Sequence, residues 1–154
     1  MPFFVQGEKI LLKKDGTWIA DGIEITHEET RKIFYKSIHW DSEQKKYYLE
    51  IGYERLFIEV EDTPYFVTEL ERTGKKIFAK LSSTVEIEIL ATNLLYVYQH
   101  PQGVLYLMLP ENERARFLSA SYYDLLKDLT EDENGYFLTI VGERVCLLSK
   151  SLKI

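Results

Sequence analysis

Short apolar or alternating runs, separated by turn-forming residues roughly every ten to twenty positions, dominate the chain. Asp15-Gly16 and Asn134-Gly135 are two of these turn signals. The segment 85–89 alternates Val and Ile with Glu, which is the pattern of a half-buried strand. Further strands are predicted at 56–60, 65–70, 96–98 and 104–109, the last two as one hairpin. The pattern favours antiparallel sheets over alternating βαβ units.

Two segments have the spacing of an amphipathic helix. The first begins at Thr26, and Glu29 three positions later predicts a capping box. The second covers 119–129, with Ser119 or Ser121 as its cap. Its apolar face is formed by Tyr122, Leu125, Leu126 and Leu129. Together with the strands, these helices predict an α+β fold with antiparallel sheets and two short helices.

The sequence after the first helix is repeated after the second. Between 47–58 and 136–147, five of twelve positions are identical. The identical pairs are Tyr47/Tyr136, Leu49/Leu138, Ile51/Ile140, Glu54/Glu143 and Arg55/Arg144. A helix, turn, strand, two-residue hairpin and strand cannot bury their own apolar face, so two copies are expected to pack together as a duplicated helix-hairpin unit. Convergent hairpin chemistry is the alternative for so short a match.

Length and composition predict one soluble domain. The chain has 154 residues, of which 45% are hydrophobic, so a core can form. We expect a single compact unit over 1–154, with a first repeat at about 15–66, connecting strands at about 67–103 and a second repeat at about 104–150. The 11 tyrosines are unusual, and most are expected to pack between helix and sheet.

Charge and the absence of targeting signals narrow the function classes. With 19 basic and 25 acidic residues, the net charge is −6, which argues against a nucleic-acid partner. The longest apolar run, 104–109, is far shorter than a membrane span, and no signal peptide is recognised at the start. One cysteine fits a reducing compartment. A cytoplasmic protein without a membrane partner is therefore expected.

The residues needed for common catalytic or metal chemistry are not found in the required patterns. His27, His39 and His100 lack the spacing of a zinc site, and Cys146 in an apolar strand is expected to be buried and inert. No phosphate-binding glycine loop or serine nucleophile elbow is present. The carboxylates near Glu59 alternate with apolar residues as on a solvated strand face. We therefore assign no catalytic residue, metal or cofactor.

Several motifs resemble those of the bacterial family called domain of unknown function 1285, or DUF1285. The residues Asp-Gly-Thr-Trp at 15–18, the strand 48–51 and Val-Glu-Asp-Thr-Pro-Tyr at 60–65 carry the resemblance. The segment 114–126 is similar to the family's second helix, with Leu-Ser at 118–119 where an arginine is common. The resemblance implies an α+β fold with two repeated motifs, and members that bind a ligand or act in signalling. It brings no catalytic residues.

The expected function is a non-catalytic binding or regulatory module. The candidate ligand-binding residues are Trp18, Arg55, Asp62, Tyr65 and Arg144. An aromatic ring and an arginine converging in a groove between the repeats would suit a small anionic or planar ligand. The alternatives for single residues are a core position for Trp18, a turn-forming role for Asp62 and structural ion pairs for the arginines. A homodimer formed through exposed tyrosines is the second hypothesis, and an enzyme is the third.

Overall fold

The computed structural model describes residues 7–99 and 102–150. Backbone contacts divide the chain into two compact units, Met1–Tyr65 and Phe66–Ile154. The boundary falls close to residue 66, where the first repeat was predicted to end. That 1–154 forms one unit stays a prediction, and His100 lies outside the described residues.

The first unit is built on one six-stranded mixed sheet. Its elements are β1 (Ile10–Leu12), β2 (Trp18–Ala20), β3 (Ile23–Glu24), α1 (Glu28–Lys36), β4 (Ile38–Asp41), β5 (Lys46–Ile51) and β6 (Glu54–Val60). The strand order is β3-β2-β1-β6-β5-β4, and only the β1–β6 pairing is parallel. The β5–β6 hairpin pairs Ile51 with Glu54 across two turn residues, as the sequence predicted. The antiparallel expectation thus holds for four of the five pairings.

Helix α1 has a different cap from the one predicted. His27 is the N-cap, and its Nδ1 accepts a hydrogen bond from the Thr30 amide at 3.3 Å. The capping box predicted for Thr26 and Glu29 is therefore wrong. An imidazole nitrogen one position later performs the same task of satisfying a first-turn amide. Phe34 is the buried side chain of the helix.

The second unit contains one large and one small sheet. Its elements are β7 (Tyr65–Thr73), β8 (Lys76–Leu81), β9 (Glu86–Glu88), β10 (Leu94–Gln99), β11 (Gln102–Met108), a 3-10 turn (Pro110–Asn112), β12 (Arg114–Phe117), α2 (Ser119–Leu126), β13 (Thr130–Asp132), β14 (Gly135–Ile140) and β15 (Glu143–Ser149). The large sheet has the order β10-β11-β12-β7-β8-β9, and β13-β14-β15 form an antiparallel meander. The predicted hairpin of 96–98 with 104–109 is present as β10 and β11.

Helix α2 starts at the predicted residue without the predicted cap. Its N-cap is Leu118, which makes no side-chain capping bond. Ser121 is buried inside the first turn, and its Oγ lies 2.6 Å from the Val67 carbonyl oxygen. Because this hydroxyl donates to a strand, it fastens the helix to β7 instead of capping it. Neither predicted serine cap is therefore correct.

Strands greatly outnumber helices, and the fold class is α+β as expected. In the described chain, neither helix is long and apolar enough to cross a bilayer. The core of the second unit lies under β7, β11 and β14. Its fully or nearly fully buried apolar side chains include Phe66, Val67, Leu105, Leu107, Leu125, Leu138 and Ile140.

Candidate functional site

Trp18 lies in the core of the first unit. It is completely buried, and its ring makes T-shaped contacts with Phe34 and Tyr35, both at 5.2 Å between centroids. The indole Nε1 makes no hydrogen bond with a described residue. Tyr35 beside it donates its hydroxyl to the Gly16 carbonyl at 2.8 Å, and burial raises the pKa of this phenol above its ordinary value. This placement matches the core alternative stated for Trp18.

The two repeated arginines are held by a carboxylate and an aromatic ring. Arg55 Nε lies 3.1 Å from Glu50 Oε2, and its guanidinium lies 5.1 Å from the centre of the Tyr48 ring. Arg144 bonds Asp132 and lies 3.6 Å from the centre of the Phe137 ring. The Arg144 guanidinium holds the pKa of the Asp132 carboxyl below its ordinary value. Structural ion pairing, the alternative considered for these arginines, therefore accounts for their contacts.

The remaining predicted residues lie around the end of the first unit. Asp62 is exposed in the turn after β6, and Tyr65 is half-buried at the start of β7. The Thr63 hydroxyl between them donates to the Tyr65 carbonyl at 2.8 Å. Arg55 belongs to the first unit and Arg144 to the second. The groove that these residues were expected to line stays a prediction.

Cys146 differs from its predicted environment. The thiol was expected to be buried, whereas the residue is exposed on β15. It occupies the outward position of an alternating strand, opposite Phe137 on β14. Within the described residues, no group of three or more His, Cys, Asp and Glu side chains is arranged to hold a metal.

An aromatic row crosses the outer face of the first unit's sheet. It consists of His39 on β4, Tyr48 on β5 and Phe57 on β6, and we call it the outer aromatic row. His39 stacks on Tyr48 at 5.4 Å, and Tyr48 contacts Phe57 edge-on at 6.0 Å. Lys46 lies 5.8 Å from the centre of the Phe57 ring. These side chains form a surface that combines flat rings with cations.

A wide concavity lies beside this row at one end of the same strands. Its volume is about 530 Å³, and it is open to solvent. Trp40 and Tyr47 contact each other there at 4.7 Å, and Lys45 and Lys46 lie at its border. The combination of aromatic and cationic groups expected around Trp18 and Arg55 thus occurs on other residues of this unit.

The second unit contains a narrower pocket of about 220 Å³. Of the residues that the structure describes, those that line it are all tyrosines and leucines: Tyr96, Tyr122, Leu126, Leu129, Tyr136, Leu147 and Leu148. We call this the tyrosine pocket. Its residues come from β10, from α2 and the connection that follows it, and from β14 and β15. All of them belong to the second unit, so the site is complete within that unit.

The helical wall of the tyrosine pocket follows from the amphipathic spacing. Tyr122 and Leu126 lie at i and i+4 of α2, so they share a face. The helix ends at Leu126 and not at 129 as predicted, and Leu129 joins the wall from the connection that follows. Leu125 is buried in the core, whereas the other three are half-buried. The apolar face predicted from sequence is therefore divided between a core contact and a pocket wall.

A β-bulge forms the opposite wall. Tyr136 pairs with Leu148, but Phe137 pairs with Cys146, so Leu147 is an extra residue on β15. Adjacent residues of a regular strand point to opposite faces of the sheet. The extra residue allows Leu147 and Leu148 to line the same pocket, which is how bulges re-aim side chains beside functional sites.

Gly135 permits the close approach of strands next to this bulge. Its φ is 156°, and a Cβ added to it would lie 2.3 Å from the Leu148 carbonyl oxygen. Asp132 Oδ1 accepts hydrogen bonds from the Asn134 and Gly135 amides and holds the preceding turn. The asparagine-glycine signal in the sequence thus marks both a turn and a backbone contact that excludes larger residues.

A pair of phenol hydroxyls lies in the tyrosine pocket. Tyr122 interacts with Tyr96 by a hydrogen bond, and burial, followed by this neighbour, raises the pKa of Tyr122 to about 12. Tyr96 is packed over Gly103, where an added Cβ would lie 1.8 Å from the Tyr96 hydroxyl oxygen. The Tyr122 phenol is therefore neutral near pH 7. Tyr122 also borders a second, smaller hollow of about 120 Å³.

Two residues of opposite charge near the tyrosine pocket form an ion pair with each other. Lys150 lies 5.4 Å from the centre of the Tyr136 ring and forms an ion pair with Glu131 at 2.5 Å. The lysine holds the pKa of the Glu131 carboxyl below its ordinary value, and Glu131 raises the pKa of Lys150. Neither charge belongs to the pocket wall.

Sequence analysis did not select any pocket residue as a ligand contact. The excess of tyrosine was a usable signal, since three of the 11 tyrosines line this pocket. The helical face supplied a second signal at Tyr122, Leu126 and Leu129. The position of Leu147 and Leu148 in the pocket could not be predicted from the sequence, because a bulge depends on pairing between strands and not on a local pattern.

An ion pair fixes α2 to β7 and gives a pH prediction. Arg72 Nη1 donates to Asp124 Oδ1 at 2.8 Å, and this bond lowers the pKa of the Asp124 carboxyl. A lowered folded-state pKa stabilises the protein above the unfolded pKa, and the stabilisation is lost as the pH falls through the folded pKa. Asp124→Asn should therefore lower the free energy of unfolding by at most about 1 kcal/mol at pH 7, because solvent screens the pair. Urea unfolding at pH 7 and at pH 3 or lower measures this difference.

The control for Asp124→Asn is Asp128→Asn, because Asp128 lies 3.9 Å from the same arginine but is much more exposed. The control should change stability less at pH 7. A loss for Asp124→Asn that is as large in strong acid as at pH 7 would contradict the electrostatic explanation.

Comparison with known proteins supports the fold assignment. No family model and no curated protein matches the chain. The chain is similar to the crystal structure of a DUF1285 family protein from Silicibacter pomeroyi, with a TM-score of 0.70 and 17% identity over 93% of this chain and 81% of that one. It is also similar to a DUF1285 family protein from Shewanella baltica, with a TM-score of 0.54 and 18% identity over 80% of this chain and 94% of that one.

These matches define the class as an α+β protein with the DUF1285 fold. The resemblance to this uncharacterised family, predicted from the motifs at 15–18 and 60–65, is confirmed by the two structures. At these identities, the likeness concerns the fold and carries no ligand or activity with it.

Proposed function

We propose that this chain is a DUF1285-type binding or regulatory module whose small-molecule site is the tyrosine pocket. The observation that carries the proposal is the pocket's lining of four leucines and three tyrosines around about 220 Å³. Ligand sites are concave and mostly apolar, with a few polar groups that orient the ligand. The leucines provide the apolar surface, and the Tyr96–Tyr122 hydroxyl pair provides the polar groups.

The construction of the pocket also supports a binding role. A bulge and a glycine contact both act to bring Leu147 and Leu148 to the same side of β15. A regular strand would send one of these leucines to the opposite face. The bulge thus enlarges the apolar lining of a half-open pocket. This favours the interpretation of the pocket as a ligand site over its interpretation as a simple packing contact.

We also infer that the two helix–hairpin segments arose by duplication. The supporting observation is their shared pairing register: Arg55 faces Glu50 in β5–β6, and Arg144 faces Thr139 at the corresponding position of β14–β15. In each segment, an aspartate before the next strand accepts hydrogen bonds from two turn amides. Membership in the DUF1285 family itself, a cytoplasmic location and a role in signalling are part of the same proposal.

A pocket-filling variant tests the proposed site. Leu147→Trp should block it, because the larger ring occupies the space that a ligand needs. The matched control is Leu90→Trp, the same substitution at an exposed leucine of the same unit. A ligand-detected NMR screen of neutral and charged aromatic fragments should yield ligands that bind the wild type and Leu90→Trp but not Leu147→Trp. Fragments that bind all three proteins equally, or no bound fragment at all, would contradict the proposal.

Self-association through the outer aromatic row is the second candidate function. Phe57 in this row is 44% exposed, and large aromatic side chains are enriched in protein interfaces. Sedimentation equilibrium should show a dimer that Phe57→Glu dissociates. A monomer at all concentrations would exclude this candidate.

A further inference from the structure

We infer that the tyrosine pocket selects an uncharged ligand of about one ring that carries a hydrogen-bond acceptor. This inference rests on the proposed function, because it names the class of ligand for the same pocket. Three properties of the pocket lead to it: its volume, the absence of ionised groups among the described residues that line it and the count of hydroxyl protons inside it.

The volume sets the size of the ligand. An apolar cavity of about 150 Å³ accommodates a benzene molecule. The tyrosine pocket has about 220 Å³, so it holds one aromatic or alicyclic ring with a few additional heavy atoms. A nucleotide or a long acyl chain exceeds this space.

The lining sets the charge of the ligand. All seven lining side chains are leucine or tyrosine. Transferring an ion from water into such surroundings is unfavourable unless a partner charge is present. Lys150 beside the Tyr136 ring already forms an ion pair with Glu131. An ionised carboxylate or ammonium group therefore loses hydration without gaining an ion pair.

The hydroxyl pair sets the polar group of the ligand. Tyr96 and Tyr122 together have two hydroxyl protons, and one of them is used in the hydrogen bond between the two phenols. The second proton is available to donate to an acceptor on the ligand. Tyr96 is held in position by its contact with Gly103, so this donor is oriented before the ligand binds. A carbonyl, amide or ether oxygen next to the ring fits this arrangement.

A matched set of three probes tests the inference. Benzamide and benzoate have the same ring and similar shape but differ in charge at pH 7, and toluene has no acceptor. The wild type should bind benzamide at least tenfold more tightly than benzoate in an NMR titration. Toluene should bind, since the leucines contribute to its affinity as they do for benzamide.

Removal of one hydroxyl tests the polar contact. Tyr96→Phe should weaken benzamide binding several-fold and leave toluene binding unchanged, because only benzamide uses the donor. Tyr123→Phe is the matched control, since this neighbouring tyrosine is 71% exposed and does not line the pocket. Tyr122→Phe is the second variant: it keeps the Tyr96 hydroxyl and should retain most of the benzamide affinity, which assigns the donor to Tyr96 even if Tyr96→Phe folds poorly.

The outcomes separate the inference from the proposed function. Benzoate binding as tightly as benzamide, in a manner blocked by Leu147→Trp, would overturn the inference while the pocket remained a ligand site. Failure of all three probes would overturn it as well. The proposed function itself fails only if the broader fragment screen also yields no ligand that Leu147→Trp blocks.

Discussion

Trp18→Ala is expected to lower the free energy of unfolding by about 3–5 kcal/mol. The side chain is completely buried and packs against Phe34 and Tyr35, so truncation removes apolar burial and leaves a cavity. Urea unfolding followed by far-UV circular dichroism measures the loss. A core position also predicts that Trp18→Phe, which keeps an aromatic ring there, costs clearly less than the alanine variant.

The second tryptophan of the chain provides the control. Trp40 belongs to the same unit but is 48% exposed, so Trp40→Ala should cost about 1 kcal/mol. Equal losses for the two variants would show that Trp18 does not have the buried environment described. A stable Trp18→Ala protein that has lost ligand binding would instead support the ligand-contact hypothesis of the sequence analysis.

Gly135→Ala should have the second largest effect, a loss of about 2–3 kcal/mol of unfolding free energy. The added Cβ would lie 2.3 Å from the Leu148 carbonyl oxygen, and a backbone atom cannot move without disturbing the β14–β15 pairing. The same displacement shifts Leu147 and Leu148. Gly135→Ala should therefore also abolish binding of ligands to the tyrosine pocket, measured by the NMR titration used for benzamide.

Gly142→Ala separates steric contact from backbone strain in that experiment. Gly142 lies in the same hairpin and has φ of 77°, but an added Cβ meets no atom within 4 Å. Its substitution should cost about 1 kcal/mol through strain alone and should preserve binding. Equal effects of the two variants would contradict the role assigned to the contact between Gly135 and Leu148.

Local patterns were sufficient to predict the repeated hairpins and the approximate positions of both helices, but several strands, including β1, β8 and β12, were not predicted. The β5–β6 and β14–β15 hairpins lie where the repeat predicted them, and α2 begins at Ser119. These elements depend on alternation, helical spacing and turn residues, all of which are visible within about ten positions. The parallel pairing of β1 with β6 was not predicted, because it joins segments far apart in the chain.

Helix caps and the candidate site were harder to predict for the same reason. Thr26 and Ser121 have the residue types of caps, but His27 caps α1 and Ser121 bonds Val67 on a distant strand. The site residues were chosen for chemical type, and Trp18 has the type of a ligand contact but the position of a core residue. Burial and strand register decide such cases, and neither can be derived from spacing alone.

The tyrosine pocket combines residues that are ordinary when considered singly. Leucines on a helix face or strand usually belong to the core, and a tyrosine usually packs with its hydroxyl at the edge. They form a pocket because β10, α2 and the bulged β15 place them around one space. This convergence is a tertiary property, and the excess of tyrosine was interpreted from the sequence as packing between helix and sheet.

Methyl NMR of leucine-labelled protein tests the proposed site most directly. Titration with benzamide should shift the methyl resonances of the pocket leucines Leu126, Leu129, Leu147 and Leu148, and Leu147→Trp should abolish these shifts. Core leucines of the first unit, such as Leu12 and Leu49, should not respond. Shifts confined to leucines outside the tyrosine pocket, or shifts that persist in Leu147→Trp, would contradict the assignment of this pocket as the ligand site.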